Sequence, residues 1–144
     1  MKAIRHMDLV LGPLASDVYE SMKCLEKNKS SQYWRRIMLR SICAHIEALL
    51  FQMKVTMLKL APVARVVFTA EETEILTEMR AAVPPKQARP KFIPMAENVK
   101  AVLSLFGRLQ GATFSLETNG EGWQHFLYLV AVRNRITHPK EVFD

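Results

Sequence analysis

The chain has 144 residues, is 49% hydrophobic and carries a formal net charge of +6. That length and apolar content suit one domain with a real core, and the positive excess favours an anionic partner such as nucleic acid. Glu47, Lys54, Lys59 and Arg65 interrupt the longest apolar stretches, so none is expected to reach the roughly 20 residues that cross a bilayer. The first eleven residues carry Asp8 and no cleavable signal pattern, which reads as a cytoplasmic chain with no membrane role.

In chain order the signals are helical. After Gly12-Pro13, Leu14, Val18, Met22 and Leu25 recur at helical spacing and stop at Asn28, giving a first helix. From Ser31 to about Leu60, the residues Trp34, Ile37, Met38, Ile42, Ile46, Leu49, Met53 and Met57 form a stripe. This is the expected spine, with Arg36, Arg40, Glu47 and Lys54 on a solvated reverse side and Pro62 as its stop. Thr69-Ala70-Glu71-Glu72 reads as a capping box opening a short helix through Ile75, Leu76, Met79 and Val83. Four prolines from Pro84 to Pro94 make an extended, semi-rigid connection that also holds Lys86, Arg89 and Lys91.

Val99, Val102, Leu103, Phe106 and Leu109 mark the next helix, with Gly111 placed as its C-terminal cap. Thr118 and Glu121 form a second expected capping box, opening a last helix through Trp123, Phe126, Leu127 and Val130 to Thr137. Few glycines, no alternation and no internal repeat point to an all-α chain: an antiparallel bundle of four to five helices. Cys24 and Cys43 lie within helical patterns without metal-ligand spacing, so they read as reduced structural thiols, with no metal and no cofactor implied. The eight methionines read as core filler.

The last helix ends Val132-Arg133-Asn134-Arg135-Ile136-Thr137-His138-Pro139. On a wheel turning 100° per residue, Arg133 lies within about 20° of Phe126 and about 40° of Leu129, so its charge leaves from an apolar side and needs a partner or a task. Pro139 disfavours helix at His138, which would let the imidazole turn back toward the last turn. A bland alternative is that these cations offset the helix dipole and bind the last carbonyls. It accounts for Arg135 and His138 but not for Arg133. A second Arg-to-His pair of the same spacing, Arg40 and His45, falls mid-helix about 140° apart on the wheel, with no helix end between them.

Arg133, the polar Asn134 and His138 at the end of the last long helix resemble the signature of the HEPN superfamily of helical domains. The long second helix, from Tyr33-Trp34-Arg35-Arg36 to Leu49-Leu50, is also similar to the second helix of several members. The resemblance implies a metal-independent endoribonuclease of the kind used in toxin-antitoxin, abortive-infection and RNA-processing systems. It also implies a homodimer that brings two motifs to one cleft, and an antitoxin or nucleotidyltransferase partner. One subfamily has a tyrosine two positions after the histidine; here that position is Lys140, so control by modification of that tyrosine is excluded.

The residue chemistry agrees with the resemblance. RNA carries its own nucleophile, the 2′-hydroxyl, so an enzyme needs proton transfer and stabilisation of phosphate charge. His138 suits the first near neutral pH. Arg133 suits the second with its fork of donors. Asn134 would orient the phosphate or the imidazole, while Arg135 and Lys140 would bind the backbone of single-stranded RNA without regard to sequence. His125 and Tyr128 read as ordinary helix-surface or core-edge residues. No glycine-rich phosphate loop, paired carboxylates or Ser/Cys nucleophile setting supports another enzyme class. The alternative of a different kind is a HEPN-like module that binds RNA, a nucleotide or a partner protein without cutting.

Overall fold

The computed structural model describes residues 2–80 and 89–137. Among them are five helices and one short strand pair: α1 (Lys2–Lys27), α2 (Gln32–Ala64), α3 (Ala70–Thr77), β1 (Met79–Arg80), β2 (Arg89–Pro90), α4 (Met95–Leu109) and α5 (Glu121–Thr137). The all-α class expected from the sequence is what is found. His138 and Lys140 lie outside the described residues, as does Val83.

Two prolines expected to bound helices do not. α1 begins at Lys2 and carries Pro13 inside it, because a helix that loses one backbone donor can continue where the flanking turns keep theirs. α2 likewise runs through Pro62 to Ala64. It ends where Arg65 turns left-handed, φ 53°, and Val66 N–H donates to Ala61 O at 3.0 Å, a Schellman-type closure. By length and composition α2 is apolar enough to cross a membrane, correcting the expectation that its charges forbid this; 22% of the relevant window is buried. A core helix passes the same test.

α3 opens as its sequence requires. Thr69 accepts from Glu72 N–H and the Glu72 carboxylate accepts from Thr69 N–H, the complete capping box. The helix stops at Thr77, short of the expected Val83, because Glu78 adopts φ 56° and diverts the chain into β1. There Met79 pairs with Pro90 and Arg80 with Arg89 in antiparallel register, so part of the proline-rich connection is paired where an extended segment was expected. α4 ends in a Schellman cap at Gly111, φ 71°: Gly111 N–H donates to Arg108 O and Ala112 N–H to Gly107 O. At α5 the expected Thr118 capping box gives way to a later start. Gly120 O accepts from the N–H groups of Trp123 and Gln124, and Thr118 instead offers its carbonyl to Gln124 Nε2 at 3.3 Å.

The chain groups into two compact units: residues 1–49 with 118–144, and residues 50–117. In the second, Leu50, Lys54, Met57 and Ala61 of α2, Leu76 of α3 and Val102, Leu105 and Leu109 of α4 are buried. The α2 positions recur every three to four residues, one helical stripe rotated from the expected one: Leu49 is exposed. Lys54, expected on the solvated side, is 1% exposed and pairs with Glu78 Oε1 at 2.8 Å. Arg108 of α4 forks onto Glu72 of α3, with Nη1–Oε1 2.7 Å and Nη2–Oε2 2.8 Å. In the first unit Ser21, Cys43 and Trp123 are buried, and the Trp123 and Phe126 rings meet at 5.1 Å.

Candidate functional site

The inward line of α5 runs from Trp123 through Phe126 and Val130 to Arg133, one residue every three or four and all at least half-buried. Arg133 therefore leaves the apolar side of its helix, as the wheel requires. Its partner is Glu47 of α2: Nη2 lies 2.8 Å from Glu47 Oε1. Nη1 donates to Asn134 Oδ1 at 3.2 Å, so Asn134 holds the arginine in place. The Arg133 side chain is 27% exposed, enough for its remaining N–H donors to reach a ligand.

Cys43, one turn before Glu47, is buried in the same place. Burial pushes its thiol above the ordinary value, Arg133 pulls it down and Glu47 adds to the rise. A raised thiol stays protonated and unreactive near neutral pH. Cys24 and Cys43 are both free, and no His/Cys/Asp/Glu cluster among the described residues could hold a metal.

Thr137 Oγ1 donates to the carbonyls of Arg133 and Asn134, at 3.0 and 3.4 Å, capping part of the open end of α5. Arg135 is exposed in the same turn, free to contact a backbone or to offset the helix dipole. Of the expected site residues, Arg133, Asn134 and Arg135 thus share the last turn of α5. His125 reaches Glu121 at 3.7 Å and both are exposed. Tyr128 is exposed too. Both match a surface reading.

Sequence reasoning missed the wall opposite. Tyr33, Arg36, Ile37 and Arg40 of α2 and Ile136 of α5 line an open cleft of about 440 Å³. The α2 residues fall at i, i+3, i+4 and i+7, a single helix face, and the same face continues to Glu47. Arg36 and Arg40 had been placed on a solvated side. Both are exposed, yet they front a concavity that helical periodicity alone does not reveal. No family model, curated protein or solved structure matches this chain.

Proposed function

We propose that this is a HEPN-like helical bundle that cleaves single-stranded RNA without a metal, with Arg133, Asn134 and His138 as its reaction centre. The observation that carries the reading is the Arg133 guanidinium held at the end of α5 by Glu47 and Asn134. A cation fixed on one edge keeps donors for two phosphate oxygens and needs little reorganisation as charge gathers on them. In the proposed reaction His138 removes the 2′-hydroxyl proton. O2′ then attacks phosphorus, the bond to O5′ breaks, and the departing O5′ takes a proton from an acid. The products are a 2′,3′-cyclic phosphate and a 5′-hydroxyl.

Base and acid are two tasks, and a homodimer would supply a second histidine. Arg135 and Lys140 contribute backbone affinity. A toxin or phage-defence effector in the cytoplasm, held in check by an antitoxin or nucleotidyltransferase partner, is the role this chemistry fits.

The test is cleavage of single-stranded RNA in excess chelator by the purified chain and by His138→Ala and Arg133→Ala. Each substitution should lower turnover about a hundredfold or more. A 2′-deoxy sugar at the scissile position should abolish cutting and leave binding nearly unchanged. Strict metal dependence, or cutting of all-DNA substrate, would refute the mechanism. The second reading, a binding module that does not cut, is favoured by the cleft beside Ile136, whose described lining includes neither Arg133 nor Asn134.

A further inference from the structure

We infer that the cleft between α2 and the end of α5 is a nucleotide subsite, in which a base stacks on Tyr33 and its phosphate sits between Arg36 and Arg40. The inference rests on the RNA-directed reading above and assigns to that reading a binding surface.

The charge pattern comes first. Arg36 and Arg40 are four residues apart on one helix face, where like charges repel. Between Gln32 and Ile46 the chain has no acidic residue, and neither arginine makes an ion pair or hydrogen bond among the described residues. Four cations that sit against neighbouring elements have acidic partners: Lys54 with Glu78, Lys91 with Glu74, Arg108 with Glu72 and Arg133 with Glu47. Two guanidinium groups without a partner among the described residues, at the mouth of a cleft, suit an anion, and a planar fork suits phosphate.

The walls decide what kind of anion. Tyr33 is 56% exposed, and Trp34 braces it edge-on with ring centroids 5.1 Å apart. Ile37 and Ile136 supply the apolar floor. A bare anion site has no use for a braced, exposed ring and two isoleucines. A single-stranded nucleic acid uses both parts, because its bases stack on aromatic faces while cations follow its backbone. The volume lies within the usual range for small-ligand sites, about 300–1,000 Å³.

The test uses a fluorescent single-stranded oligoribonucleotide with every 2′-hydroxyl methylated, so that it binds and is not cut. Arg36→Gln/Arg40→Gln should weaken binding tenfold or more and lower the salt dependence by about two phosphate contacts. Tyr33→Ala should weaken it about fivefold or more, and Tyr33→Phe should bind as the parent does. Ultraviolet cross-linking of a 4-thiouridine oligonucleotide, mapped by mass spectrometry, should mark Tyr33 or Ile136 in the unsubstituted protein, which needs no variant to fold. Unchanged affinity in the double-arginine variant, an indifferent Tyr33→Ala or cross-links confined elsewhere would overturn the subsite. Because the probe has no nucleophile, the two proposals separate. Binding that depends on Tyr33, Arg36 and Arg40 without any cleavage of ordinary RNA would end the nuclease reading and keep the subsite. Cleavage with an unchanged KM in the double-arginine variant would do the reverse.

Discussion

Arg133 Nη2 and Glu47 Oε1 meet at 2.8 Å although 86 positions separate them in the chain, tying the last turn of α5 to the middle of α2. The pair is too exposed to matter much for stability; such bridges contribute about 0–1 kcal/mol. Its consequence is positional. Glu47→Ala should leave the melting temperature nearly unchanged and lower RNA turnover about tenfold or more, since a loosened guanidinium loses its alignment. Glu47→Gln, which keeps an acceptor, should fall between Glu47→Ala and the parent. Full turnover in Glu47→Ala would show that the pair is a surface bridge without a role in the site.

How much of this was legible in the sequence depended on how local each signal was. The Thr69–Glu72 capping box and the Gly111 cap are set by residues within six positions of one another, and both are found where the sequence places them. The wheel put Arg133 on the apolar side of α5, and it is there. Its partner could not be read, because pairing across 86 positions depends on how two helices meet. Lys54 fails for the same reason: its polarity assigned it to solvent, while the meeting of α2, α3 and α4 buries it and Glu78 provides the counter-charge. The β1–β2 pair was hidden because two-residue strands carry no alternation to detect.

Lys54 and Glu78 should respond asymmetrically to substitution. Lys54 is 1% exposed and Glu78 51%, so removing the acid strands a buried charge while removing the lysine leaves a carboxylate that water can reach. Glu78→Gln should cost up to about 3–5 kcal/mol, the range for breaking a buried pair from one side. Lys54→Met, which fills similar volume without charge, should be near neutral or stabilising. Urea unfolding of the two variants checks the order, and equal losses would contradict it.

Acid sensitivity should come in part from Glu72. Its carboxyl is held below the ordinary glutamate value, chiefly by the hydrogen bonds from Arg108, with the Thr69 N–H adding to the effect. A lowered folded-state value means the contribution is present above the ordinary range, near pH 4.3, and fades as pH falls through the depressed value. Thermal unfolding between about pH 6 and 3 should therefore show a steeper decline for the parent than for Arg108→Ala. Glu72→Ala, which removes the fork and half of the capping box together, should cost about 1–2 kcal/mol at neutral pH. Identical acid limbs in the parent and Arg108→Ala would remove Glu72 from the account.

The proposed homodimer rests on the need for two proton-transfer groups and not on the charge of Arg133. Glu47 already satisfies Arg133, so a partner surface is not needed to offset that charge. The need is chemical: strand cleavage calls for a base and an acid, and the motif holds one histidine per chain. α5 leaves Gln124, Tyr128, Ala131 and Arg135 exposed at spacings of four, three and four, one continuous helix face. Tyr128 at its centre is 72% exposed. A two-fold contact through this face would set two α5 ends side by side and should bury at least about 1,000 Å² in total. Light scattering should report a dimer. Tyr128→Glu should shift it to monomer and reduce cleavage in parallel, while the helical content by circular dichroism stays the same. A monomeric parent that cuts RNA at full rate would refute the shared site. A dimer that survives both Tyr128→Glu and Ala131→Arg would place its interface on another face and remove the proposed composite site.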